Sequence, residues 1–329
     1  MVKGRVIALN RVALGLIVCV IALGAFTRLV DAGLGCPDWP GCYGHVLWPT
    51  EASEIAAAEQ AYPETPVDQD KTWPEMVHRY FAGALLVLVA TLTFTIWRVD
   101  PVSNLRVISA SLLVLITCQA AFGAWTVTLK LWPQVVTAHL LGGFATFSLL
   151  WLMYMKQGGA PGLRLQLQDK QTLRLHARVA LVVVVLQIAI GGWVSSNYAA
   201  LACADFPTCF GSYAPQMDLA QGFNIFQAIG PNYLGGLLDS DSRVAIHWFH
   251  RIGALVVMVV VGALVFRLWA RQVRLASMVG AILIVQIILG SLSVVWRLPL
   301  SVATAHNGVG ALLLLTMVTV NFAPPEDAA

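Results

Sequence analysis

Eight stretches of about twenty mostly apolar residues recur along this chain, and a polypeptide built that way has little choice but a membrane. They lie near 11–30, 75–97, 107–129, 134–155, 176–196, 244–266, 275–296 and 300–322. Each can cross the hydrocarbon core as a helix. Backbone polar groups cannot go unpaired there, and the runs lack the short alternating pattern of a barrel, so helices are expected. Only 11% of the residues are charged, against roughly a quarter in soluble domains, which excludes a water-soluble fold. A formal net charge of +3 gives no footing for nucleic acid. Pro74, Pro133 and Pro299 are expected at span starts, where the missing N–H costs nothing.

Charge sorts by loop parity. The N-terminus and the second, fourth and sixth loops hold 13 of the 20 basic residues, among them Arg5, Arg98, Arg106, Lys156, Arg174, Arg267 and Arg271. Thirteen of the 17 acidic residues, including Glu51, Glu59, Asp68, Asp205 and Asp239, fall on the other side. Basic loops stay cytoplasmic, so both termini are expected inside and the two long loops outside. No cleavage signal follows the first span, which therefore reads as a retained anchor. No Arg- and Ser-rich presequence is present, which favours a bacterial inner membrane over an organelle.

The chain repeats itself. A shift of 167 superimposes Arg11 on Arg178, Gly24 on Gly191, Cys36 on Cys203, Asp38 on Asp205, Pro40 on Pro207 and Cys42 on Cys209. The same shift matches Gln119 to Gln286, Gly123 to Gly290, His139 to His306 and Gly143 to Gly310. His78-Arg79 matches His250-Arg251 at a shift of 172, the extra five residues falling in the second long loop. Gaps confined to loops mark a duplication. Four spans per half return the chain to its starting side, so the halves are parallel repeats. The expected fold is an all-α membrane protein: eight transmembrane helices in two pseudo-symmetric four-helix bundles, related by an axis along the membrane normal. Residues 1–157 form the first half, with an outer loop at 31–73, and 158–172 a cytoplasmic linker opening on Gly-Gly-Ala-Pro-Gly. Residues 173–323 form the second half, with an outer loop at 197–242, and 324–329 a tail. Glu51–Tyr62 reads as a short helix in the first loop.

Four of the seven histidines, His78, His139, His250 and His306, are related by the duplication. Counted from Pro74, Pro133, Arg243 and Pro299, they lie about 6–11 Å below the outer ends of their helices. A single histidine in a membrane helix is often a hydrogen-bonding strut. Two imidazoles at one level on neighbouring helices suit the two axial positions of a haem iron. Zinc is less suited, since each half offers two imidazoles and no thiolate at that level. Arg79 and Arg251 follow their histidines and suit haem propionates, or snorkel to the headgroups. Glu75 and His247 stand three residues before His78 and His250, on the same helix face. Glu75 reads as a base or local negative charge, or as the salt-bridge partner of Arg79.

Both long loops carry Cys-x5-Cys: Cys36 with Cys42 in CPDWPGC, and Cys203 with Cys209 in CADFPTC. Outside the membrane, close pairs become structural staples or exchange electrons and thiols. Cys19 and Cys118 lie inside spans and read as buried packing residues.

Together, Glu75-x-x-His78-Arg79, the two Cys-x5-Cys loops, and Thr-Ala-His at 137–139 and 304–306 on eight spans resemble the heme A synthase family over essentially the whole chain. These are assembly enzymes of haem-copper terminal oxidases. The resemblance implies oxidation of the C8 methyl group of haem O to a formyl group by successive hydroxylations with water-derived oxygen. By the same resemblance His78 and His139 receive haem O, and Glu75 acts beside the methyl group. His250 and His306 hold a haem b that passes electrons. It also implies disulfides Cys36–Cys42 and Cys203–Cys209. His247 and the second cysteine pair are not found throughout the family. Beyond haem O and the lipid bilayer, the implied partners are a haem O synthase (farnesyltransferase), oxidase assembly factors and a second copy of the chain. A di-haem electron-transfer cytochrome, a haem carrier and a transporter are the competing readings. Haem ligands near one face, Glu75 and the lack of midplane helix breaks, respectively, stand against them.

Overall fold

The computed structural model describes residues 2–99, 104–160 and 171–323. The tail 324–329 and most of the linker, with Arg164 and Lys170, lie outside the described residues. Eight helices of 23 to 31 residues are long and apolar enough to cross a membrane. In chain order the helices are α1 (Val2–Leu29), α2 (Ala52–Ala61), α3 (Gln69–Val99), α4 (Asn104–Thr128) and α5 (Pro133–Lys156). They continue as α6 (Gln171–Ser196), α7 (Leu219–Gly222), α8 (Ser240–Trp269), α9 (Val273–Val295) and α10 (Leu300–Phe322). No strand occurs among the described residues. The expected short helix is α2, opened by a capping box between Glu51 and Glu54.

Helices α1, α3, α4 and α5 pack pairwise in a ring, as do α6, α8, α9 and α10. The rings meet where α5 touches α6, where α10 touches α1, and where α5 touches α10. One apolar core, including Leu92, Leu150, Met153, Leu264 and Met317, runs through both. Polar side chains add specific ties, since a hydrogen bond in hydrocarbon has no competing water. Trp151 Nε1 donates to Thr319 Oγ1 at 2.8 Å, joining α5 to α10. Asn321 Nδ2 donates to Ala177 O at 2.9 Å, joining α10 to α6. Between the C-terminal ends of α1 and α6 the Arg28 guanidinium lies 4.0 Å from the Tyr198 ring centre and donates to Ser195 O.

The duplication reaches the backbone. Left-handed residues recur at the same shift of 167: Asp31 with Tyr198, Tyr43 with Phe210, Lys130 with Arg297, and Leu131 with Leu298. The cis bonds Trp39–Pro40 and Phe206–Pro207 match at that shift as well.

Two expectations need correction. Pro133 is the first residue of α5 and Pro299 caps α10, but Pro74 lies inside α3, five residues past Gln69. The turn that precedes it is polar, so hydropathy does not reveal it. Cys19 and Cys118 are exposed on the outside of the helices, not buried. Lipid covers that perimeter in a membrane protein, so small apolar residues there need no protein neighbour.

Candidate functional site

His78 comes from α3 and His139 from α5, and their ring centres stand 6.4 Å apart with planes at 86°. His139 and His306 are each six residues into their helices, while His78 and His250 are nine and ten residues into α3 and α8, which begin farther out. Each ring is received by a glycine on a neighbouring helix. A Cβ on Gly24 of α1 would stand 2.9 Å from His78 Cε1, and one on Gly290 of α9 would stand 2.9 Å from His306 Cε1. The corresponding distances are 3.1 Å for Gly191 of α6 against His250 and 3.6 Å for Gly123 of α4 against His139. The matched glycines of the two halves are thus the flat backs against which the imidazoles rest.

The Nδ1 atoms of His78, His139 and His306 are buried with no partner among the described residues. His250 differs: Gln187 Nε2 lies 3.1 Å from its Nδ1 and donates to its backbone oxygen at 2.9 Å. Gln286 Nε2 lies 3.5 Å from His306 Nε2. Half-buried imidazoles with spare nitrogen, two to each half, fit an iron porphyrin. Among the described residues no group of three or more His, Cys, Asp or Glu is gathered for a lone metal ion.

Above each pair sits a disulfide loop of the same construction. Cys36–Cys42 and Cys203–Cys209 are bonded, with Cα atoms 4.8 and 4.9 Å apart. Inside the first ring, Asp38 accepts from Tyr43 N at 2.6 Å and Gly44 N at 2.9 Å. Inside the second, Asp205 accepts from Phe210 N at 2.6 Å and Gly211 N at 2.9 Å, and from Thr208 Oγ1 at 2.6 Å. The Thr208 hydroxyl and those amides hold the exposed Asp205 carboxyl down to about 2. The Tyr43 phenol donates to Thr65 O and Pro66 O, and burial, then Asp38, push it up to about 12.

Arg79 and Arg251 carry these loops. Arg79 donates to Asp38 O at 3.0 Å and Gly41 O at 2.6 Å, and its other terminal nitrogen pairs with Glu75. Arg251 donates to Thr208 O at 2.7 Å and Cys203 O at 2.8 Å, and its Nε is buried without a partner among the described residues. Glu75 is buried, and its second oxygen accepts from Cys36 N at 3.0 Å. His247 is buried as well, its Nδ1 2.8 Å from Ala199 O. The residue three before each histidine therefore tethers the loop leaving the preceding span, by carboxylate in one half and imidazole in the other.

The second long loop also leans over the first half. Trp132 Nε1 donates to Gln227 O at 3.0 Å, Gln134 Nε2 to Ile225 O at 2.9 Å, and Tyr233 N to Lys130 O at 3.0 Å. Of these polar neighbours, Gln187 could not be found from the sequence, because its counterpart 167 positions earlier is Val20.

Fold and site together define a polytopic helical membrane protein with two half-buried histidine pairs suited to haem. The chain belongs to the family described as cytochrome oxidase assembly protein, whose model matches residues 8–318. It is 43% identical to a protein named Heme A synthase from Shewanella oneidensis over 318 residues, 95% of each chain. Proteins of the same name from Allorhizobium ampelinum and the Culex pipiens Wolbachia are 27% and 24% identical, over 93% and 89% of this chain and 87% and 89% of theirs.

Proposed function

We propose that this protein oxidises the C8 methyl group of haem O to the formyl group of haem A, by successive hydroxylations with oxygen from water. The observation that carries the reading is the His78–His139 pair, rings 6.4 Å apart, with Glu75 one turn away, in a chain 43% identical to a heme A synthase. The first half, 1–157, takes haem O as substrate between His78 and His139. The second, 173–323, holds haem b between His250 and His306, and that group supplies reversible one-electron chemistry when bound.

Glu75 contributes through position. Its pairing with Arg79 and Cys36 N keeps a carboxylate fixed beside His78. A fixed negative charge there stabilises positive charge developing on the methyl carbon, and the carboxylate takes the proton of the attacking water. Arg251 offers its free Nε–H to a propionate, and Arg79 is its counterpart in the first half. The disulfides stiffen the loops that these arginines grip, so they act as roofs to the two sites.

The charge distribution supports a bacterial inner membrane, with both termini and the 158–172 linker cytoplasmic and the long loops periplasmic. Haem O arrives through the lipid from a farnesyltransferase. Oxidase assembly factors and a second copy of the chain are the further partners, and nucleic acid is none.

The test is extraction and mass identification of haems from membranes holding this chain and a haem O source. Haem A is expected. His78→Ala and Glu75→Gln should abolish it, the latter with normal protein levels because the amide oxygen still serves Cys36 N. Wild-type haem A in either variant overturns the assignment. His306→Ala should lose the b-type spectrum, and a spectrum kept in full would reverse the allocation of halves.

A further inference from the structure

The two seams between the rings are related by the duplication, yet one is shut and the other open. Where α5 meets α6, Thr137 Oγ1 and Ser196 Oγ are 3.1 Å apart. A Cβ on Gly192 would already meet Leu140 at 3.0 Å and Thr137 at 3.1 Å. Where α1 meets α10, a cleft of about 840 Å³ opens instead, between Val18, Ala22 and Phe26 on one side and Thr304, Gly308 and Leu312 on the other. Gly308 faces open space, with nothing within 4 Å of where a Cβ would stand.

Every lining side chain is apolar except Ser301 and Thr304, one turn apart. Thr304 Oγ1 is buried and has no partner among the described residues, while its counterpart Thr137 is satisfied by Ser196. An unpartnered hydroxyl on a residue that lines an apolar cleft calls for an acceptor, and a turn about χ1 brings it to the cleft face. A bare hydrocarbon tail has none to offer. On the same helix His306 turns the other way, toward Gly290. One helix, about 10 Å across, therefore separates the cleft from the second histidine pair.

We propose that this cleft binds an isoprenoid quinone, whose ring carbonyl accepts the Thr304 hydroxyl and whose tail lies along α1, and that the quinone is the electron acceptor. The inference rests on the haem O reading. Converting a methyl group and one water to a formyl group releases four electrons and four protons. Two quinones, each taking two electrons and two protons to become quinols, balance the reaction. A cleft of this size suits one such head group.

The test uses the full chain with its haem in lipid nanodiscs free of quinone. A short-tailed azidoquinone should label peptides covering 18–26 and 300–312, and unlabelled decyl-tailed quinone should compete. Gly308→Leu, which fills the cleft, should cut labelling about tenfold or more, and Thr304→Val severalfold, with the haem spectrum unchanged in both. Added quinone should reoxidise the reduced haem, and Gly308→Leu should slow this about tenfold. Labelling that survives Gly308→Leu, or that farnesyl compounds or phospholipid compete away and quinone does not, overturns the proposal, as does reoxidation indifferent to the variant. None of these measurements uses haem O, so their failure leaves the methyl oxidation standing, and absence of haem A would sink that reading separately.

Discussion

Single residues carry more of this protein than its greasy composition suggests. Asp38 and Asp205 each close a cysteine ring by taking two backbone amides, so one carboxylate does the work of a turn of secondary structure. Asp205 binds its proton less readily folded, at about 2 against an ordinary 3.8, so its stabilisation is present above the unfolded value and is lost as pH falls through that window toward 2. The protection of the Phe210 and Gly211 amides, measured against their intrinsic exchange rates, should hold from neutrality down to about pH 4 and fall below it. In Asp205→Asn the amide oxygen still takes one of the two N–H groups, so the other should lose protection at neutral pH, with no acid transition left. Glu75 makes a related point. The carboxylate proposed to act beside His78 is also the salt-bridge partner of Arg79 and a loop tether.

Elements decide where such residues meet. The spans were legible because twenty apolar residues in a row admit few other structures. The polar first turns of α3 and α8 were not, since such turns look like loop to a hydropathy reading. The histidine pairs could be read from their recurrence, but the glycines opposite them could only be counted as repeated. Their purpose needs three-dimensional contact between α1 and α3, or α9 and α10. The distances then rank the glycines. Gly290→Ala puts a methyl group 2.9 Å from the His306 ring, closer than a carbon atom tolerates, whereas Gly123→Ala meets His139 at an ordinary 3.6 Å. Purified Gly290→Ala should lose most of its b-type absorbance. Gly123→Ala should accumulate and make haem A much as the parent does, as pigment extraction would show.

At the scale of the whole molecule, the repeat was the most informative signal in the sequence, and it holds down to paired left-handed residues and paired loop caps. What repetition could not reveal is where the copies part company: the shut and open seams, Gln187 in place of Val20, and the second loop reaching onto the first ring. Helices α5 and α10 face each other at the centre, so each half buries apolar surface against the other. Expressed as separate polypeptides cut within 161–170, the halves should co-purify as a pigmented complex, and either alone should be degraded. Stable accumulation of a lone half would contradict that mutual dependence.

The strap formed by Ile225, Gln227 and Tyr233 over Lys130, Trp132 and Gln134 also bears on traffic. On the proposal that haem O is the substrate, a ceiling pinned from the neighbouring side points to the lipid flank as the doorway for a macrocycle dragging a terpene chain.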